Sequence, residues 1–304
     1  MLAETVKSCL ALRRANGFGL KSQGCMLKSF AAFSDARGID RVRSQTAIEW
    51  AGLAQSRFQR AVRLGEVIRF ARHLHVEDSR HEIPPPVFGS QKHCRPTPYI
   101  FSAANIGRVL AVASQLGPSD SFRGLTYQTF FGLLVCTGLR VSEAIRLRLA
   151  DISPDGLIIR STKFKKSRLV PLHNTAQAVL DRYLKLRHPY APHADHLFVS
   201  PKKKALLILD VEIAFRKAVR MAGIASSPGL PRPTLRALRH TFAVRALERC
   251  PDGRDRITKH MLGLSTYLGH SSVAFTYWYL EATPHLMKNV AQACERYVAS
   301  GGQR

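Results

Sequence analysis

Near its C-terminal end the chain reads LGHSSVAFTYWYL, which sets Tyr279 nine positions after His270. Upstream, LRHTF carries Arg239 and CTGLRVSEA carries Arg140. A tyrosine able to act as nucleophile, a histidine before it and arginines from distant segments are the groups that a metal-free attack on a phosphodiester needs. Such a reaction spreads negative charge over the equatorial oxygens of its transition state. Catalysis is then mostly positioning and electrostatic stabilisation. Arginine suits the task, because its planar fork donates parallel hydrogen bonds to phosphate and stays charged.

Each residue also has a plainer reading. Arg140 sits at a turn between two apolar helical runs, held for a ligand or paired with Glu143; a carboxylate can orient an arginine without cancelling its task. Arg236 and Arg239 are three apart on one helix and share a face, which makes them either phosphate ligands or the charged edge of a core helix. His240 points off that face and is read as structural. Lys163 lies in TKFKKSR with Lys165, Lys166 and Arg168 close by. It can hand a proton to a leaving 5′ oxygen as a general acid, and the others support the site or touch DNA; alternatively the whole run is a solvated basic turn. Tyr279 follows Tyr277 and Trp278, and aromatics in a short helix usually pack a core. His270 can donate to a phosphate oxygen or cap a helix end.

The elements that must position these groups are helices for the most part. The chain has 304 residues, 45% of them hydrophobic, enough for one or two packed domains. Its 46 Lys and Arg against 21 Asp and Glu leave a formal charge of +25, an excess that suits a polyanionic partner, nucleic acid first. The basic residues are spread along the whole chain, which argues against a membrane surface, and no apolar run approaches the ~20 residues of a span. Six cysteines lie far apart with no CxxC pair, so they read as free thiols of a reducing cytoplasm, and no metal site is expected.

Residues 1–82 read as four or five helices studded with Arg57, Arg60, Arg63, Arg69 and Arg72. HEIPPPVFGSQKHCRPTP, spanning the linker 83–97, is too rich in proline to continue a helix. From residue 98 the spacing predicts a helix capped by Ser102, an apolar helix ending at Gly138 and a short helix over SEAIRLRL. GLIIRSTKFKKSRLVPL predicts a hairpin around a basic turn. Helices follow over 174–188, 210–223 and TLRALRHTFAVRALERC, then short helices ending at Gly269 and one over SVAFTYWYL. An amphipathic tail helix is expected over 285–304. The fold class is mainly α with a small β-sheet or hairpin (α+β).

Together, TGLRVSEA, TKFKKSRLVPL, LRHTFA and LGHSSVAFTYWYL resemble, in order and spacing, the tyrosine recombinase (phage integrase) family over most of residues 98–285. The resemblance implies that Arg140 and Arg239 are the paired catalytic arginines, Lys163 the hairpin lysine, His270 the late histidine and Tyr279 the nucleophile that becomes a 3′-phosphotyrosyl ester. Glu143 matches the acidic residue that often follows the first arginine. The resemblance further implies a core-binding domain over 1–82, a catalytic domain over 98–284, a clamp around double-stranded DNA, no cofactor, and a homo-oligomer on DNA, tetrameric in the synapse, with partner recombinases in some systems.

One departure stands out. The family usually carries His, sometimes Lys, three residues before the second arginine, and here that position is Arg236. A guanidinium binds phosphate but cannot serve as a base near neutral pH. Two outcomes follow: Tyr279 loses its proton to water in a strongly cationic site, or the chain binds DNA without cutting it. The presence of the other five positions favours activity, with Arg236→His expected to raise the cleavage rate. The leading expectation is a site-specific DNA recombinase serving a mobile element. The alternatives are a catalytically impaired accessory protein of the same fold and a type IB topoisomerase.

Overall fold

A computed structural model of the chain describes residues 1–89, 97–118, 121–160, 167–224, 229, 231–249 and 254–281, together with 295 and 299. The chain divides into two compact units, Met1–Arg95 and Pro96–Arg304.

The first unit is built from α1 (Leu2–Ala15), α2 (Lys21–Asp35), α3 (Ser44–Gly52) and α4 (Arg57–Glu77). Apolar side chains at helical spacing meet in one core that includes Leu10, Phe30, Trp50, Val67 and Phe70. The ends of the helices are tied by polar groups. Both carboxylate oxygens of Asp35 accept from the first amides of α1, Leu2 N at 2.9 Å and Ala3 N at 3.2 Å, where the helix leaves donors unsatisfied and favours negative charge. Ser56 caps α4 through Gln59 N. Of the arginines on α4, Arg57, Arg69 and Arg72 are exposed. Arg60 instead donates to Ala54 O, and Arg63 lies 5.3 Å over the Trp50 ring.

The second unit runs α5 (Ala103–Ser114), α6 (Phe122–Thr137), α7 (Val141–Arg146), β1 (Ile152–Ser153), β2 (Gly156–Ile159), β3 (Arg168–Val170), α8 (Asn174–Tyr190), α9 (Ile208–Met221), α10 (Leu235–Glu248), α11 (Arg254–Leu268) and α12 (Ala274–Glu281). Ser102 caps α5 by accepting from Asn105 N, as its place before the helix predicts. The sheet is antiparallel in the order β1-β2-β3, with Ile159 opposite Arg168 and Ile152 opposite Leu157. The hairpin is therefore joined by a third strand that the sequence does not announce, because two residues are too few to display an alternating pattern. α11 is one helix rather than the expected run of short ones.

α6 is the axis of the main core. Phe130 and Phe131 on it are fully buried and meet Phe198 and Phe215 edge-to-face, each at 5.1 Å between ring centres, the arrangement the ring quadrupole favours. A second apolar cluster joins α10, α11 and α12 through Val244, Leu247, Met261, Leu264, Leu268 and Tyr279. Lys163, Lys165, Lys166, linker residues 90–96 and nearly all of the tail over 285–304 lie outside the described residues.

Candidate active site

The site begins where α6 stops. Gly138 ends that helix in the left-handed conformation, φ 60°, and two residues later Arg140 opens α7. Glu143, in the first turn of α7, accepts from the Arg140 backbone amide at 3.0 Å and from Arg140 Nη1 at 2.7 Å. Arg168 reaches it from β3, donating through Nη1 and Nη2 at 3.2 and 2.8 Å. The carboxylate is buried, its side chain 2% exposed. Burial opposes its ionisation, but the hydrogen bonds and charges of Arg168 and Arg140 outweigh this and hold its pKa at about 2, below the ordinary 4.5. Arg168 is thereby turned inward, its Nε donating to Tyr267 O at 2.8 Å; it supports the site from within the fold.

Arg239 comes from α10 and is buried. Its Nη1 donates to Gly138 O at 2.7 Å and its Nη2 to Leu268 O at 2.8 Å. Arg140 Nη2 donates to Gly269 O at 2.8 Å. Both arginines are thus aimed by the last carbonyls of α6 and α11, which a helix leaves without partners of its own. Glycine is needed at both helix ends. Gly138 and Gly269 have φ of 60° and 66°, and a Cβ would lie 2.5 Å from Phe242 Cδ1 at the first and 2.7 Å from Arg168 Nη1 at the second. Burial, with repulsion from Arg140, lowers the Arg239 pKa to about 10, which leaves it charged at neutral pH. Each guanidinium carries more N–H groups than these carbonyl bonds use.

Tyr279 projects from α12 into the cluster formed with α10 and α11 and is 3% exposed. Its hydroxyl lies 3.1 Å from His240 Nδ1, and the nearby Arg239 guanidinium favours its ionised form. The His270 ring stacks on the phenol ring at 6.3 Å with 17° between planes, and His270 Nδ1 meets Thr276 Oγ1 at 2.8 Å. Burial raises the pKa of the phenol, against the lowering effect of Arg239, Arg140 and Arg236. Burial, reinforced by Arg236 and Arg239, pushes His240 down to about 4, so the imidazole is neutral at pH 7.

The structure therefore brings Arg140, Glu143, Arg168, Arg239, His270 and Tyr279 into one neighbourhood. Arg236 is exposed on α10 and acts on the phenol through its charge. His240, read as structural from its place off the arginine face, instead touches the phenol. The signal was present in the helical spacing: positions 240, 244 and 247 share a face, and Val244 and Leu247 pack in the cluster that contains Tyr279. Among the described residues no three His, Cys, Asp or Glu side chains gather as a metal site, and no helix is long and apolar enough to cross a membrane.

With this geometry in hand, the likenesses to known proteins are consistent with one another. The model of the phage integrase family matches residues 103–285. The protein named integrase/recombinase y4rB of Sinorhizobium fredii is 36% identical over 96% of this chain and 96% of its own length. Tyrosine recombinase XerD of Brucella suis is 29% identical over 72% of this chain and 70% of its own. Among solved structures, a lambda integrase fragment captured as a dimer on a COC' core site superposes with a TM-score of 0.64 at 15% identity, covering 90% of this chain and 96% of that one. The Tn1549 transposon integrase in complex with transposon right-end DNA gives 0.63 at 17% identity, covering 96% and 100%. At such identities the solved structures speak for the fold alone.

Proposed function

Because this chain belongs to the phage integrase family, we propose that it is a site-specific DNA recombinase that cuts and rejoins duplex DNA through a 3′-phosphotyrosyl intermediate at Tyr279. The observation that carries this reading is a buried phenol in one cluster with Arg239 and Arg140, which are aimed by the adjacent carbonyls of Leu268 and Gly269, and with the His270 ring parallel to it. Arg140 and Arg239, aimed by helix-end carbonyls, hold the non-bridging oxygens of the scissile phosphate. His270 donates to the same group. Tyr279 Oη attacks phosphorus in line as the bond to the 5′ oxygen breaks, and Lys163 gives that oxygen a proton. The 5′ hydroxyl of a second strand reverses the step and releases the enzyme. The phosphotyrosyl ester conserves the bond energy, so no cofactor is needed.

In this reading Glu143 and Arg168 fix Arg140, and Arg236 adds charge for the phosphate. Lys165 and Lys166 contact the DNA backbone. The helical unit also binds DNA, and the synapse is a homotetramer. The mobile-element role is drawn from the relative named integrase/recombinase y4rB, 36% identical over 96% of this chain.

The test uses the purified full chain and nicked duplexes taken from the DNA flanking its gene. A covalent protein–DNA species that withstands denaturing electrophoresis, and that Tyr279→Phe abolishes, is the expected result. Binding without any adduct would favour the accessory protein of the same fold. Relaxation of supercoiled plasmid with no preferred site would favour a topoisomerase.

A further inference from the structure

We propose that His240 accepts the phenolic proton of Tyr279 during strand cleavage, making it a catalytic residue of the site. This rests on the reading of Tyr279 as nucleophile and adds to it a route for the proton. The cations whose charge reaches the phenol, Arg239, Arg140 and Arg236, have no acceptor site. None of these guanidiniums can take the phenolic hydrogen, which needs a neighbour with a free lone pair. His240 Nδ1 stands 3.1 Å away, within transfer distance; the tautomer assigned here carries its hydrogen on Nε2. His270 is arranged differently: its Nδ1 meets Thr276, and its ring runs nearly parallel to the phenol ring with centres 6.3 Å apart.

The packing holds His240 in this geometry. The imidazole is set against the Trp278 ring at 5.2 Å and 66° and against the Tyr279 ring at 5.5 Å. α10 and α12 therefore present base and nucleophile to each other across an interface sealed by Val244 and Leu247. The charged and titratable groups around the imidazole are Arg236 and Arg239 on its own helix and Tyr279 on the facing one. The two guanidiniums oppose its protonation while the site is empty. A bound phosphate offsets them and makes the imidazole a better acceptor, so proton transfer is tied to DNA binding.

The step balances without an oxidant or reductant. The Oη–P bond forms, the P–O5′ bond breaks, the phenol proton passes to His240 Nδ1, and the leaving O5′ takes a proton from Lys163. On rejoining, the departing phenolate recovers its proton from the imidazolium.

The experiment follows adduct formation in single turnover on nicked duplexes carrying the gene-flanking DNA, with three forms of the full chain. His240→Asn keeps a hydrogen-bond acceptor beside the phenol but not a base. It is expected to slow cleavage about 100-fold with unchanged DNA affinity, in the range a lost general base produces. A fluorinated tyrosine introduced at position 279 ionises more readily and is expected to restore at least about tenfold of that loss in the His240→Asn chain. Thermal melting checks that every form is folded. A His240→Asn rate within about threefold of the unaltered chain, or no recovery with the fluorinated residue, overturns the proposal. Such a result leaves Tyr279 as nucleophile untouched, whereas failure of the unaltered chain to form any adduct removes the underlying reading.

Discussion

Glu143 and Tyr279 are both buried ionisable groups around which arginines gather, yet they end in opposite states. Glu143 is ionised, its pKa held at about 2 by hydrogen bonds from Arg168 and Arg140. Tyr279 keeps its proton, because the desolvation of its oxygen outweighs the pull of Arg239, Arg140 and Arg236. The difference lies in how many donors are committed to each. Two guanidiniums and a backbone amide donate to the carboxylate, while the phenol hydroxyl meets a neutral imidazole and feels the arginines through their charge. One group is settled when the chain folds and acts as a fixed anchor. The other is left poised, so that an incoming phosphate can change its charge state.

The comparison can be broken at several points. The largest stability effect is expected at Glu143. Glu143→Ala strands Arg140 and Arg168 without their carboxylate, and losing one partner of a buried ion pair costs about 3–5 kcal/mol. Denaturant unfolding reads this directly, and a loss below about 1 kcal/mol would mean that the cluster is no anchor. Gly269→Ala comes next. It forces a left-handed residue to carry a Cβ 2.7 Å from Arg168 Nη1, with an expected cost of about 1–3 kcal/mol and displacement of the carbonyl that aims Arg140. Arg140→Lys would then be unusually sensitive in cleavage, since an ammonium cannot reproduce the forked contact.

Tyr279→Phe should cost only about 1 kcal/mol of stability, the worth of an ordinary hydrogen bond, while abolishing covalent attachment to DNA. A large stability loss here would make Tyr279 a structural residue like Glu143. The smallest effect concerns His240, whose folded pKa of about 4 lies below its ordinary 6.5. A depressed folded value means stability that is present above pH 6.5 and lost as pH falls toward 4. Lowering the pH from 7 to 6 should therefore cost the unaltered chain about 0.7 kcal/mol more than it costs His240→Asn, in which the buried His81, whose pKa is also lowered, still loses some stability. Glu143 adds its own loss only at lower pH, between about 4.5 and 2.

Much of this was legible in the sequence, and the exceptions have physical causes. Gly138 and Gly269 read as helix ends because glycine is favoured in the left-handed caps they occupy. Ser102 read as a cap because a hydroxyl before a helix satisfies its free amides. The Arg140–Glu143 pairing followed from their spacing in the first turn of α7. By contrast, the inward turn of Arg168 could not be read from a run of basic residues, because its partner Glu143 lies 25 residues away in sequence. The contact between His240 and Tyr279 spans 39 residues and depends on how α10 and α12 pack. Local spacing gave only half of it, placing His240 on the face of Val244 and Leu247 without saying what that face meets.

The account is tested most directly by identifying the residue joined to DNA. The full chain is trapped on a nicked duplex bearing its gene-flanking DNA, digested with protease, and the DNA-linked peptide is sequenced by mass spectrometry. The expected result is a peptide from α12 with a phosphodiester on Tyr279 Oη and the 3′ end of the strand attached. A linkage at Tyr277, at a serine, or to the 5′ end would contradict it.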